Sequence, residues 1–185
     1  MLPLRALILA AGFGTRLRPL TLTQPKCLVE IKGKPLLAYW LDTLTDLHFD
    51  SILINTHYLS EHVESFLKTY EFRESKVETS FEKEILGTAK TLYVNREFFY
   101  GSTGLLLHGD NYTNTNIREL LTAHSNRPKN CLITMLTFDS DTPQMCGIVE
   151  TDINGVVTSF YEKVKNPPSN RANAAIYVFD NELLS

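Results

Sequence analysis

Short apolar runs alternate with amphipathic segments along the first two-thirds of the chain. A continuous apolar run bounded by turn residues predicts a buried strand, and such runs occur at residues 4–10, 51–55, 104–108 and 131–138. Apolar positions spaced three and four residues apart predict helices over residues 36–47, 60–70 and 117–124. Ser60, at the start of the second helix, is of a type that caps helix N-termini. Strands that alternate with helices predict a mostly parallel, doubly wound sheet.

The pattern changes in the last third of the chain. Residues 147–150 and 156–160 are strand-like and flank a segment ending in Asn154-Gly155, a pair typical of hairpin turns. Residues 174–179 form a last predicted strand, and residues 181–184 resemble the start of a helix. We therefore expect an α/β fold in which residues 1–185 form one domain, with a Rossmann-like, doubly wound mixed sheet and an antiparallel part near its end.

The amino-acid composition excludes several classes of protein. The 185 residues are 43 % apolar and 21 % charged, which excludes a disordered chain, a collagen-like fibre and a disulfide scaffold. A net charge of −3 provides no basic field, so we expect no nucleic-acid partner. No apolar run approaches the length of a membrane span, and the short N-terminal run lacks a basic leader, so we expect neither a membrane anchor nor a signal peptide. Three scattered cysteines favour a reduced, cytoplasmic setting.

Two of the predicted strands end in unusual sequences, at the edge where doubly wound sheets bind ligands. Gly12 and Gly14 follow the first strand and let backbone N–H groups approach an anion, while Thr15 and Arg16 add a hydroxyl and a guanidinium suited to phosphate. A Gly-x-Gly alone fits an ordinary tight turn equally well. Asp110 ends another strand, where a lone carboxylate is most often a turn residue.

Several segments together resemble the sugar-1-phosphate nucleotidyltransferases, also called nucleotide-sugar pyrophosphorylases. The matching segments occur in the family's order and span nearly the whole chain: residues 9–21, 25–37, 84–89, 109–111, 160–163 and 173–177. The resemblance implies the GT-A-like fold of nucleotide-diphospho-sugar transferases. It also implies an enzyme that joins a nucleoside triphosphate to a sugar 1-phosphate and releases pyrophosphate, by in-line attack of the sugar phosphate on the α-phosphorus.

The same resemblance implies roles for the phosphate-binding residues. Arg16 would neutralise the departing pyrophosphate, Lys26 would stabilise charge near the α-phosphate, and Asp110 would bind Mg²⁺, a cation that prefers oxygen ligands. These three residues are the predicted catalytic set. The nucleotide-binding residues implied by the family pattern are Ala10, Gly12, Gly14, Thr15, Arg16, Glu82 and Gly87.

The identity of the base depends on Glu82, which stands five residues before Gly87, at the family's base-contacting position. A carboxylate only accepts hydrogen bonds; guanine presents two neighbouring donors, whereas uracil and thymine present one N–H between two carbonyls. Residues 82–89 also look like the corresponding segment of mannose-1-phosphate guanylyltransferases. We therefore expect GTP and mannose 1-phosphate, with UTP or dTTP and glucose 1-phosphate as the alternative. A solvated charged loop over residues 82–84 is the other interpretation of Glu82.

On the sugar side, the resemblance implies that Lys163 binds the sugar phosphate and that Glu162 binds the sugar hydroxyls. An exposed ion pair at a strand end is the alternative for these two residues. The whole sugar-phosphate set implied by the pattern is Asn111, Gly147, Glu162, Lys163 and Asn173.

The chain departs from the family pattern at several points. Ala175 stands where members usually have Gly, and Val164 stands where many have Pro. The family's second Mg²⁺-binding Asp would lie beyond Ser185, so we expect a domain truncated at its C-terminus. Two alternatives to an active enzyme follow: a catalytically impaired nucleotide- or sugar-binding domain, and a structural α/β domain, which the matching segments disfavour. The sequence leaves the formation of a homo-oligomer open.

Overall fold

The computed structural model describes residues 2–184. The strands are β1 (Leu4–Leu9), β2 (Glu30–Ile31), β3 (Lys34–Pro35), β4 (Ser51–Thr56), β5 (Lys76–Phe81), β6 (Thr103–His108), β7 (Ile133–Asp139), β8 (Gly147–Thr151), β9 (Val157–Glu162) and β10 (Arg171–Asp180). The α-helices are α1 (Leu36–Asp46), α2 (Ser60–Thr69), α3 (Thr88–Val94) and α4 (Ile117–Ser125). Within residues 2–184, no helix is long and apolar enough to cross a bilayer.

The strands form an eight-stranded mixed sheet in the order β5-β4-β1-β6-β10-β8-β9, with β7 paired to β10. β1 pairs in parallel with β4 and β6, and β4 pairs in parallel with β5. β10 runs antiparallel to β6, β7 and β8, and β8 and β9 form the predicted hairpin. β2 and β3 form a separate two-stranded ribbon. The sheet therefore combines a parallel part with an antiparallel part, as the sequence predicts. The strand predicted over residues 131–138, however, belongs to the antiparallel part, because β7 pairs with β10.

Helices cover both faces of the sheet. On one face, α1, α2 and α4 pack on the strands through Leu41, Val63 and Leu120. On the other face, α3 and the 3₁₀ turn after it pack through Leu92 and Phe99. The parallel strands inside the sheet are buried from both sides, which explains why their sequences are continuous apolar runs.

Some local predictions differ from the structure. β5 and α3 were not predicted, because β5 is a largely exposed edge strand without an apolar run and α3 has only seven residues. The prediction that Ser60 caps α2 is wrong: the N-cap is Leu59, in a left-handed conformation (φ 52°), and Ser60 is already helical. A turn at residues 58–59 leads directly into the helix and displaces the cap by one residue. Residues 181–184, which resemble the start of a helix, form a 3₁₀ helix.

β10 changes neighbours along its length. Its second half pairs with β6, and Ala172 in its first half pairs with Ile148 of β8. The register shifts between Asn173 and Tyr177, where Ala175 has a left-handed backbone (φ 55°). A Cβ in this conformation costs about 1–2 kcal/mol, which gives a physical reason for the glycine expected at this position from the family pattern.

The contact between β6 and β10 yields a test of the core. Gly104 lies opposite Phe179, and a Cβ on Gly104 would stand 2.3 Å from the buried Phe179 ring. We expect Gly104→Ala to lower the free energy of unfolding by about 1–3 kcal/mol, as overpacking does, measured by urea denaturation. Gly12→Ala is the matched control, because a Cβ on Gly12 meets no atom within 4 Å. Equal unfolding midpoints for the two variants would contradict this account.

Candidate active site

A cleft of about 300 Å³ opens at the carboxyl ends of the parallel strands. β1 lies between β4 and β6, and the connections to these two strands run in opposite directions from β1. This reversal of strand order is the switch point at which doubly wound sheets bind ligands. The structure brings every predicted nucleotide, catalytic and metal residue to this cleft. The predicted residues that line it are Ala10, Gly12, Gly14, Thr15, Arg16, Lys26, Glu82, Gly87 and Asp110.

Packing around Gly14 holds the loop after β1 in shape. Gly14 has a left-handed backbone (φ 62°), and its carbonyl accepts a hydrogen bond from the buried Thr21 hydroxyl at 2.7 Å. A Cβ on Gly14 would approach Thr21 Cγ2 at 2.9 Å and Lys26 Cβ at 3.1 Å. Glycine therefore both adopts the left-handed backbone and avoids these close contacts. Gly12 instead borders open space. Gly14 therefore shapes the loop, and Gly12 leaves room for a ligand.

The charge of the cleft is concentrated in a few side chains. Lys26 forms an ion pair with Asp110, and their side chains are 35 % and 28 % exposed. Arg16 has no hydrogen-bond or ion-pair partner within residues 2–184, so its guanidinium is free to bind an anion. Burial raises the pKa of Cys27 to about 12 and lowers the pKa of His108, so both side chains are neutral at pH 7. Among the lining residues, Arg16 and Lys26 supply the positive charge.

Glu82 is buried, with 5 % of its surface exposed, so the interpretation as a solvated loop is wrong for this residue. Its Oε1 accepts hydrogen bonds from Asn55 Nδ2 at 3.0 Å and from the Thr91 hydroxyl. Its Oε2 accepts a hydrogen bond from the Leu86 N–H at 3.2 Å. Asn55 Oδ1 in turn accepts the Ala10 N–H at 2.7 Å. The carboxylate therefore links the loop after β1, the end of β4 and the start of α3. Contact of Glu82 with a base stays a prediction.

Four polar residues of the cleft are not among the predicted site residues: Asn55, Thr88, Thr91 and His108. Asn55 and His108 lie within the last two residues of β4 and β6, where ligand-contacting side chains are expected. Their positions at the ends of predicted strands could therefore have identified them. Thr91 lies in α3, which was not predicted, so no feature of the sequence pointed to it.

The predicted sugar-phosphate residues lie outside the cleft lining, on and beside the antiparallel strands. Gly147 pairs with Glu162 across the β8–β9 hairpin, and a Cβ on Gly147 would meet the Phe160 ring at 2.6 Å. Lys163 has a left-handed backbone (φ 50°), and its Nζ lies 3.2 Å from Glu162 Oε1, with both side chains more than half exposed. The exposed ion pair of the alternative interpretation is thus present. Its binding of a sugar phosphate stays a prediction.

One asparagine links the loop after β6 to this antiparallel region, and a second makes its hydrogen bonds within β10. Asn111 follows β6, and its Nδ2 donates to the Ala174 carbonyl at 3.0 Å. Asn173 Nδ2 donates to the Tyr177 hydroxyl at 2.6 Å, and its Oδ1 accepts the Ala175 N–H at 2.8 Å. The Asn111 bond holds the loop after β6 against the bulge of β10, so the two predicted subsites share a backbone support.

Asp110 is the carboxylate that could hold a metal ion at the cleft. No group of three or more His, Cys, Asp or Glu side chains suited to a metal occurs within residues 2–184. Mg²⁺ commonly binds one or two protein carboxylates and completes its shell with waters and substrate phosphates. The donor set therefore fits Mg²⁺ shared with a phosphate ligand, and it does not fit a metal held by the protein alone.

Comparison with known proteins places this geometry in context. A family model described as nucleotidyl transferase matches residues 5–185. The chain is 36 % identical over 184 residues to the mannose-1-phosphate guanylyltransferase catalytic subunit beta of Drosophila melanogaster, covering 97 % of the chain and 49 % of that protein. It is 31 % identical over 194 residues to the UTP–glucose-1-phosphate uridylyltransferase of Synechocystis sp., covering 98 % of the chain and 50 % of that protein. The chain spans about half the length of the curated relatives it matches.

Solved structures share the fold. A structure from Bacillus anthracis, whose description names a glucose-1-phosphate thymidylyltransferase, has a TM-score of 0.88 at 24 % identity and covers 98 % of this chain and 73 % of its own. HddC from Yersinia pseudotuberculosis has a TM-score of 0.80 at 24 % identity and covers 97 % of this chain and 78 % of its own. At these identities the likeness shows the fold alone, and it confirms the predicted α/β architecture.

Gly12 offers a test of ligand approach that is separate from folding. A methyl group at residue 12 would enter the open cleft without touching the protein. We expect Gly12→Ala to weaken nucleoside triphosphate binding about tenfold, or ~1.4 kcal/mol, because backbone N–H groups could no longer approach the phosphates. Isothermal titration calorimetry measures the affinity, and an unchanged Tm controls for folding. Wild-type affinity in a folded variant would show that no ligand group comes close to Gly12.

Proposed function

The chain belongs to the nucleotidyl transferase family, and on this premise we propose that it is a sugar-1-phosphate nucleotidyltransferase. It transfers a nucleotidyl group from a nucleoside triphosphate to a sugar 1-phosphate and releases pyrophosphate. The observation that carries the proposal is one cleft that collects the glycine loop, Lys26, Glu82, Gly87 and Asp110 from distant parts of the chain. These parts supply backbone N–H groups, cations and a carboxylate, which are the groups that a metal-bound triphosphate requires.

In-line displacement at the α-phosphorus depends on positioning and charge neutralisation rather than on a protein nucleophile. The cleft agrees with this requirement, because its Cys27 thiol is buried and neutral. In the proposed reaction, the loop around Gly12 and Gly14 binds phosphate oxygens through its N–H groups. Arg16, which has no partner within residues 2–184, binds the departing pyrophosphate, and Lys26 stabilises charge near the α-phosphate.

We assign Mg²⁺ as the cofactor, held by Asp110 together with the phosphates of the substrate. When bound, the ion neutralises charge on the triphosphate. Lys26 pairs with Asp110 and adds positive charge on the same side of the cleft.

GTP and mannose 1-phosphate are the proposed substrates. Residues 82–89 look like the guanylyltransferase form of the segment, and the Drosophila relative is named for mannose 1-phosphate and guanylyl transfer. The Synechocystis relative is named for UTP and glucose 1-phosphate, so that pair is the alternative. Lys163 is proposed to bind the sugar phosphate, with Glu162 and Asn173 on the sugar hydroxyls.

A catalytically impaired nucleotide-binding domain is the second candidate function. It corresponds to a cleft that binds a nucleotide without a metal held by the protein, since no group of three or more His, Cys, Asp or Glu side chains suited to a metal occurs within residues 2–184.

Pyrophosphate release distinguishes the two candidates. The chain is incubated with Mg²⁺, each of GTP, UTP, CTP and dTTP, and a panel of sugar 1-phosphates. We expect the fastest release with GTP and mannose 1-phosphate, and a rate about a hundredfold lower in Asp110→Asn, which removes the charge that holds Mg²⁺. Saturable nucleotide binding without release from any pair supports the impaired domain. Faster release with UTP and glucose 1-phosphate would make that pair the substrates.

The role of Lys163 is tested by separating the two substrates. Because its ammonium is proposed to contact only the sugar phosphate, Lys163→Ala should raise KM for the sugar 1-phosphate about tenfold and leave KM for the nucleotide nearly unchanged. Lys165→Ala removes a charge from a neighbouring exposed position and is the matched control. Equal losses for both substrates would contradict the proposed contact.

A further inference from the structure

Asn55 and Thr91 both donate hydrogen bonds to one oxygen of the Glu82 carboxylate, on the wall of the cleft. The Leu86 N–H donates to the other oxygen. We propose that Asn55 and Thr91 are positioning residues for the nucleotide, and that Glu82 acts mainly as their common acceptor rather than by recognising the base with both carboxylate oxygens. This inference rests on the proposed nucleotide-binding function and concerns the same cleft.

The orientation of the Asn55 amide is set by its neighbours. The Ala10 N–H can only donate, so the Asn55 atom that lies 2.7 Å from it is the carbonyl oxygen. The Asn55 NH₂ group therefore points to Glu82, 3.0 Å from Oε1. With 2 % of its surface exposed, Asn55 has little access to solvent or ligand and serves as a link between Ala10 and Glu82.

The acceptor capacity of Glu82 is largely used. An ionised carboxylate has about four acceptor positions, two on each oxygen. Asn55 and the Thr91 hydroxyl occupy both positions of Oε1, and the Leu86 N–H occupies one of Oε2. One position on Oε2 is left, whereas the paired donors of guanine would need an acceptor on each oxygen. Glu82 in this arrangement can accept at most one base N–H.

The same bonds hold the parts of the cleft that surround a nucleotide. The Leu86 N–H is held next to Ile85 and Gly87, which line the cleft, and Thr91 holds α3 to the end of β5. Asn55 holds Ala10 at the start of the glycine loop. When the wall is already ordered, binding does not include the entropic cost of ordering it. Loss of these hydrogen bonds therefore weakens binding of any nucleotide.

Thr91 is the residue to change, because valine preserves its shape and removes only the hydroxyl. We expect Thr91→Val to weaken binding of GTP, UTP, CTP and dTTP by the same factor, about tenfold, with their order of preference unchanged. In turnover with a sugar 1-phosphate, KM for the nucleotide should rise while kcat stays within about twofold. Thr91→Ser keeps the hydroxyl and should restore wild-type binding. Thr122→Val, on the exposed side of α4, is the matched control.

Calorimetric titration with each nucleotide separates the outcomes. A change in the order of preference in Thr91→Val would overturn the proposal, because freeing a position on Oε1 should matter to base choice only if Glu82 recognises the base with both oxygens. Unchanged binding would also overturn it. If Thr91→Val does not fold, Thr91→Ala provides the second test: it also removes the hydroxyl that donates to Glu82 Oε1 and leaves the carboxylate intact, so a uniform loss is expected and a reordering contradicts the proposal. Absence of nucleotide binding in the wild type would instead contradict the proposed function.

Discussion

β1 lies inside the sheet, paired in parallel with β4 on one side and with β6 on the other. Leu9 is in register with Asn55 and with His108, so the strands end together at one edge. The cleft depends on this register, because a slip of one residue would turn Asn55 and His108 to the opposite faces of the sheet. The apolar cores on both faces prevent such a slip, since the same shift would bring buried side chains out of their packing.

Close backbone packing lets two loops share that edge. The Gly109 N–H donates to the Leu9 carbonyl at 2.9 Å, and a Cβ on Gly109 would approach Ile8 Cγ2 at 2.9 Å, so glycine allows the loop that carries Asp110 to lie against β1. Gly14 plays the same part in the loop after β1. The ion pair of Lys26 with Asp110 is a consequence of these approaches, because it joins residues from the two loops. Local cations can then bind an anion although the whole chain carries a net charge of −3.

In the antiparallel region, residues other than glycine adopt left-handed backbone conformations. Lys163 and Ala175 both have left-handed backbones without being glycine, and both lie in segments predicted to bind the sugar phosphate. Such conformations persist where the surrounding structure holds them, and they are common at functional sites. At Ala175 the support is visible, since the Asn173 side chain accepts its N–H and the Asn111 side chain binds the neighbouring Ala174 carbonyl. The bulge of β10 is therefore held from within β10 and from the loop after β6.

The sequence by itself determined the apolar strands, the three longer helices, the mixed sheet and the glycine loop, because these depend on apolar periodicity and on residue types that are local in the chain. It also identified Arg16, Lys26 and Asp110, which have a recognisable chemistry in matching segments. Only the tertiary structure decided how these side chains are used. β5 and α3 have no strong local pattern, and the hydrogen bonds of Glu82 to Asn55 and Thr91 join residues distant in sequence. Which acceptor positions of Glu82 stay free is a property of that packing, and no spacing along the chain encodes it.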